Sequence, residues 1–355
     1  MSASSLVGLG LDFGTESVRA LLVDLEGNEH GSAVVDYAHG QITERLPATG
    51  EVLPPDFALQ HPLDWIDAAA AAVRSALASG KVEPSRILGI GVDFTSCTML
   101  PALADGTPLC VDPRWASEKF AWPKLWKHHG AKSQTDRINA VARERKEGWL
   151  DRYGGTIGLE WFFPKILETL EHSPQVYDAT AIWLEAGDWF VWQLVGGDAA
   201  RLPRSTCQAG YKALWHSRDG FPSADYFRAV HPRLANVVAE KMPGRFLAPG
   251  EQAGRLTPVM ADRFGLPAGF QGIAMNIAGV LVLRFIGSLQ HSAAAQAAYA
   301  VGYSELFSLI TWTSVGLMGA SATIAPRAKP VETSAAVAAC TSTACRDFAS
   351  VGLSG

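Results

Sequence analysis

Near its amino terminus the chain carries two short apolar runs, residues 6–11 (LVGLGL) and 20–25 (ALLVDL), joined by DFGTESVR at 12–19. Apolar runs this short and this closely spaced pair as a β-hairpin, because neither is long enough to bury itself as a helix. The chain is thereby committed to a β-sheet with a glycine-bearing, hydroxyl-rich turn at one end. Gly14 lets the backbone turn tightly and approach an anion closely. Thr15 and Ser17 offer hydroxyl and amide donors, Arg19 offers a charged fork, and Asp12 can hold a magnesium ion, usually through water. A phosphoryl-transfer site needs those parts, since its catalysis is mostly positioning and charge neutralisation. The same residues also suit an ordinary polar turn, with Asp and Thr as turn formers. The spacing is not that of a Walker motif, which disfavours a P-loop fold.

The region that follows reads as mixed α/β. Glu26-Gly27-Asn28 is a turn signal before a third strand at 32–37. Leu63, Ile66, Ala70, Val73 and Leu77 recur at three- and four-residue steps, with Asp64 near the start and Gly80 as the stop, which predicts an amphipathic helix. RILGIGV at 86–92 predicts a buried strand ending in the polar cluster Asp93-Phe94-Thr95-Ser96. Further helices are predicted at 160–171 and 186–194, with Trp161, Phe162 and Phe163 as packing residues. No internal repeat stands out.

Composition narrows the function classes. A chain of 355 residues with 48% apolar and 18% charged residues can bury a sizeable core and is neither disordered nor a small disulfide scaffold. A net charge of −5 gives no broad nucleic-acid surface. Cys97, Cys110 and Cys207 lie far apart, and Cys340 and Cys345 have no nearby histidine, so the cysteines read as reduced thiols and not as a disulfide frame or zinc site. The first residues lack the basic region and apolar stretch of a signal peptide, which predicts a cytoplasmic first part.

Charge then falls away abruptly. Residues 273–325 hold two charged side chains in 53, Arg284 and Glu305, against 63 in the other 302. The uncharged run 306–325 is 20 residues long, the length of a membrane-spanning helix. The bland alternative is a pair of buried core helices. Residues 327–355, rich in Ala, Ser and Thr, read as a disordered tail. The predicted domains are 1–270 as the α/β unit, 271–326 as an apolar helical segment and 327–355 as the tail.

DFGTESVRALLVD (12–24) resembles the first phosphate-binding motif of the FGGY carbohydrate kinases, which share the ribonuclease-H-like fold of actin and hexokinase. GVDFTSCTMLP (91–101), LWKHHGA (125–131), EWFFPKIL (160–167), EAGDWFVWQLVG (185–196), CQAGYKALW (207–215) and LTPVMADRFGLPAG (256–269) resemble the ribulokinase branch of that family, in the same order. The resemblance covers about three quarters of the sequence. It implies an α/β, ribonuclease-H-like first lobe and ATP-dependent phosphorylation of L-ribulose to ribulose 5-phosphate in arabinose catabolism. ATP and Mg2+ are the implied cofactors, and a small-molecule sugar the implied partner. By position, Asp12, Gly14, Thr15, Ser17 and Arg19 would face the ATP phosphates and magnesium, with Asp12 as metal ligand. Thr95, Ser96, Trp126, Lys127 and Lys212 would face the sugar. Each has a plainer reading: Thr95 and Ser96 as caps of the next element, Lys212 as a solvated surface lysine, Trp126 and Lys127 as core.

The resemblance stops at Gly269. In the family a catalytic aspartate follows the GLPAG segment and accepts the proton of the attacking sugar hydroxyl. Here no aspartate stands between Asp262 and Asp347, and Glu305 has no motif around it. The expected outcome is a kinase lobe with little or no turnover, a sugar-binding remnant, or a membrane-associated fusion. Another ketose or polyol kinase is the alternative within the family. The stretch 273–325 resembles membrane helices of the multidrug and toxin extrusion transporters, which predicts membrane contact or insolubility.

Overall fold

The structure, a computed structural model, describes residues 6–267 and the backbone of a strand at 271–275. In chain order the elements are β1 (Val7–Phe13), β2 (Ser17–Asp24), β3 (Glu29–Asp36), α1 (Pro62–Gly80), β4 (Ile87–Phe94), β5 (Met99–Ala102), α2 (Lys132–Glu144), α3 (Phe162–His172), α4 (Pro174–Ala179), β6 (Ile182–Glu185), α5 (Ala186–Val195), β7 (Pro203–Ser205), α6 (Thr206–Lys212), α7 (Ala224–Val230), α8 (Val237–Lys241), β8 (Arg245–Leu247), β9 (Gln252–Arg255), α9 (Pro258–Phe264) and β10 (Gln271–Met275). The expected hairpin, third strand and amphipathic helix are all present, the third strand beginning three residues earlier than its apolar residues suggested.

The main sheet runs β3-β2-β1-β4-β10-β9. The first three strands are antiparallel neighbours, while β4 is parallel to β1 and β10 is parallel to β4. Parallel neighbours need a crossover connection, and α1 supplies it between β3 and β4. This is a ribonuclease-H-like α/β sheet. Its backbone pairing continues past Gly269, where the sequence resemblance ends, because β10 pairs with Ile90, Gly91 and Val92.

One face of the sheet is apolar by strand alternation: Val7, Leu9, Leu11 and Phe13 of β1 are buried with Ile90, Val92 and Phe94 of β4. Trp65, Ala69, Ala72, Val73 and Ala76 of α1 join them in one core with Trp189 and Phe190 of α5. Phe13 stacks on Phe94 at 4.5 Å, and Phe190 lies 4.4 Å from Phe13. Each such side chain contributes about 1.5–3 kcal/mol on burial. Pro62 opens α1 with its fixed φ, and Lys81 closes it in a left-handed conformation. Gly80 packs directly on β3, where a Cβ would meet His30 O at 2.5 Å. Phe162, Phe163, Ile166 and Leu170 of α3 are buried in a second core with Trp183, Tyr226 and Phe227, as packing residues should be. Trp161 is only half-buried, edge-on to Tyr153.

Candidate active site

Strand register brings three charges into one row. The β1–β2 pairing sets Asp12 opposite Arg19, and the β1–β4 pairing sets Asp12 opposite Asp93. All three are exposed, on the face away from the apolar core, at the carboxyl ends of β1 and β4. Open α/β sheets bind ligands at such strand ends. Arg19 Nη1 donates to Asp12 Oδ2 at 3.1 Å, an exposed pair that orients the two groups more than it stabilises the fold. The Asp93 side chain reaches solvent, yet partial burial raises its pKa; Asp12's charge adds to the rise and the Phe94 N–H opposes it. Two neighbouring carboxylates, one held toward its neutral form, suit a divalent cation whose charge would replace the missing proton.

The turn after β1 is clamped through its carbonyl oxygens. Tyr37 donates its hydroxyl to Gly14 O at 3.1 Å, Gln60 Nε2 donates to Thr15 O at 2.7 Å, and Tyr37 N–H donates to Glu16 O at 2.8 Å. Gly14 N–H closes the turn on Ser17 O at 2.9 Å. The Thr15 and Glu16 N–H groups find no partner among the described residues, as an anion-binding turn requires. Trp126 Nε1 donates to Thr15 Oγ1 at 3.1 Å, so a sugar candidate touches the candidate phosphate turn directly.

Thr95 and Ser96 lie in the loop from β4 to β5. They cap nothing: the element that follows is a strand, which corrects the capping reading. Ser96 Oγ is buried without a hydrogen-bond partner among the described residues, and Thr95 Oγ1 lies 2.9 Å from Thr98 Oγ1. Buried charges hold this loop. Cys97, in a left-handed conformation at φ 67°, gives its N–H to Glu185 Oε2 at 2.8 Å. Lys165 Nζ donates to Cys97 O at 2.7 Å and to Leu125 O at 2.9 Å. One ammonium thus joins the loop bearing Ser96 to the loop bearing Trp126 and Lys127. Burial pushes Lys165 down to about 8, and burial with Asp188 pushes Glu185 up to about 8.

Lys212 is not a solvated lysine. Its side chain is 13% exposed and its Nζ lies 3.2 Å from Glu160 Oε1. The Cys97 thiol is pushed up to about 12 chiefly by burial. Trp126 is 37% exposed and so is not a core aromatic, and Lys127 is half-buried. A cleft of about 440 Å³ lined by Tyr153, Thr206, Gly210 and Trp215 adjoins α6 but is lined by none of the candidate residues.

Asp93, Glu160, Gln60, Tyr37 and Lys165 were not singled out from sequence. A signal for Asp93 was present. Gly10-Leu11-Asp12-Phe13-Gly14-Thr15 and Gly91-Val92-Asp93-Phe94-Thr95-Ser96 echo one another, a short internal repeat at the ends of two adjacent parallel strands.

No family model matches the chain. Curated relatives do. The ribulokinase of Anoxybacillus flavithermus is 46% identical over 261 residues, 74% of this chain and 46% of that protein. The ribulokinase of Mycolicibacterium smegmatis is 46% identical over 272 residues, 76% of this chain and 47% of that protein. Over that portion the chain is similar to ribulokinases. The chain spans about half the length of the curated relatives it matches. Among solved structures, a gluconate kinase from Lactobacillus acidophilus aligns with a TM-score of 0.58 at 15% identity, over 77% of this chain and 48% of that one. A xylulose kinase from the same organism aligns with a TM-score of 0.57 at 16% identity, over 79% and 49%. These likenesses show the sugar-kinase fold. They extend over about half of each kinase. The comparisons lend no support to the transporter likeness. That stretch, apart from the backbone of 273–275, and the tail at 327–355 lie outside the described residues. Among the described residues no helix is long and apolar enough to cross a membrane.

Proposed function

We propose that residues 6–275 form the sugar- and phosphate-binding lobe of an ATP-dependent ketose kinase, with L-ribulose as the sugar. The observation that carries this is the convergence of the Arg19–Asp12–Asp93 row, the clamped Gly14–Glu16 turn and the Ser96 loop, with Trp126 bonded across to Thr15. Asp12 and Asp93 would hold Mg2+, which when bound neutralises phosphate charge. The turn's free N–H groups, Thr15, Ser17 and Arg19 would take the nucleotide phosphates. The buried Ser96 hydroxyl, Thr95, Trp126, Lys127 and the Lys212–Glu160 pair would orient the ketose. A polyhydroxylated substrate needs several donors and acceptors with a cation, fixed in advance, to hold one hydroxyl in place.

The proposal separates binding from turnover. No aspartate stands between Asp262 and Asp347 to accept the proton of the attacking hydroxyl. The chain therefore binds substrate and phosphorylates it slowly or not at all. The test is the melting temperature of the purified chain with L-ribulose, D-xylulose, glycerol or Mg2+-ATP, beside an ADP-release assay. A rise with L-ribulose above that with the other sugars, and ADP release at background, is the expected result. No rise with any sugar overturns the binding assignment, and sugar-dependent ADP release overturns the argument about the missing base.

A further inference from the structure

Away from the strand-end row, His39, His61 and Asp64 meet where the segment after β3 crosses the start of α1. Their ligand atoms all lie within 4.8 Å of one another. Asp64 is buried at the third position of the helix, and its two carboxylate oxygens are used unequally. Oδ2 accepts the His39 backbone N–H at 2.8 Å, while Oδ1 faces His39 Nδ1 at 2.8 Å and His61 Nδ1 at 3.8 Å. The rings of His39 and His61 stack at 4.4 Å, and the edge of Trp122 backs His61.

A hydrogen-bonded staple accounts for His39 and Asp64 but not for His61. Its Nδ1 is buried, directed to the same carboxylate oxygen, and has no hydrogen-bond partner among the described residues. A buried nitrogen left in that state is destabilising and calls for an occupant. Asp64, meanwhile, is already oriented by a backbone donor on its other oxygen, the outer-shell support that metal-ligating carboxylates receive.

We propose that His39, His61 and Asp64 form a binding site for a divalent transition-metal ion of the zinc type. Two imidazole nitrogens and one carboxylate oxygen suit zinc and not the harder magnesium ion. His39 has a 42% exposed side chain, which leaves room for water in the fourth position. The site is separate from the strand-end carboxylates but touches their supports. Tyr37 and Gln41 flank His39, and Gln60 precedes His61; these three side chains hold Gly14, Glu16 and Thr15 respectively. An ion joining the two segments would stiffen the phosphate turn from below.

The test is zinc titration of the metal-stripped full chain by calorimetry, with Co2+ replacing zinc for its visible absorption. One zinc equivalent, a zinc-dependent rise in melting temperature and a tetrahedral Co2+ spectrum are expected. His39→Ala and Asp64→Asn should each weaken zinc binding at least tenfold. His39 is exposed, so its variant folds even if Asp64→Asn does not. Absence of a zinc-dependent rise in wild type overturns the proposal. So does unchanged affinity in His39→Ala, which would place the zinc on other histidines or cysteines.

Discussion

Replacing Glu168 with glutamine should unsettle this protein more than any exposed substitution, through the buried Lys124–Glu168–His128 cluster. Lys124 Nζ spends its three protons on Glu168 Oε2 at 2.5 Å, Lys165 O at 2.9 Å and Thr169 Oγ1 at 2.8 Å. His128 Nε2 lies 2.9 Å from the same carboxylate oxygen, and its Nδ1 accepts the Ala58 N–H at 3.4 Å. That acceptor role fixes the neutral tautomer with the proton on Nε2, donated to Glu168. All three side chains are at most 2% exposed. Glu168→Gln keeps the shape, removes the charge and leaves the Lys124 ammonium uncompensated. Breaking a buried pair from one side costs about 3–5 kcal/mol. At roughly 2–4 °C per kcal/mol, the melting temperature should fall by about 10 °C. Lys124→Met alone should cost a similar amount, yet Lys124→Met/Glu168→Gln should recover a large part of the loss. The assay is a double-mutant cycle by denaturant unfolding at neutral pH. Strict additivity of the two single changes would refute the reasoning, because it would mean the charges do not compensate each other.

The same cluster fixes a pH dependence. Burial favours a raised Glu168 pKa, but Lys124 and His128 outweigh it and bring the carboxyl down to about 2, below its ordinary 4.5. Its contribution is therefore present above pH 4.5 and is lost as pH falls toward 2. Burial brings His128 down to about 4 from 6.5, so the unfolded chain binds that proton first and stability declines from pH 6.5 toward 4. Wild type should lose stability steadily on acidification, and Glu168→Gln should show a flatter slope below pH 4.5 in the same unfolding assay; an unchanged slope would exclude Glu168 as its source. Lys165→Met removes the tie between the Ser96 and Trp126 loops, and should weaken L-ribulose binding by calorimetry at least tenfold; Lys165→Arg should restore part of it, whereas equal affinity in all three would mean the loops hold themselves. Asp12→Asn and Asp93→Asn should each abolish the Mg2+-dependent part of the ATP-induced melting shift, and a retained shift in Asp93→Asn would remove that residue from the cation site. Gly80→Ala forces a Cβ onto His30 O and should destabilise by about 1–3 kcal/mol; a neutral result would mean that α1 and β3 separate easily.

Much of the frame was legible because its signals are local. The hairpin around Asp12–Arg19 follows from two apolar runs too short to be anything else, and α1 from its apolar stripe between Pro62 and Gly80. The co-linear motifs pointed to the sugar-kinase lobe that the relatives and the fold bear out. Trp161, Phe162 and Phe163 followed from apolar clustering alone. What failed were two plainer alternatives: capping by Thr95 and Ser96 fell because the element that follows them is a strand. The solvated-lysine alternative for Lys212 fell because Glu160, distant in the chain, reaches it across the fold.

By itself, then, the sequence determined the strand-turn-strand at the start, the helix that covers it, the candidate phosphate residues on that turn and the loss of family pattern beyond Gly269. Those depend on neighbours in the chain, where spacing and residue type decide the outcome. Tertiary structure alone decided that Asp93 stands beside Asp12, since parallel register across a crossover fixes it. It also decided that Lys165 ties the Ser96 and Trp126 loops together and that His39 meets His61 and Asp64. In each case the partners are distant in the chain, and a buried charge or nitrogen has meaning only once the groups that satisfy it are in place.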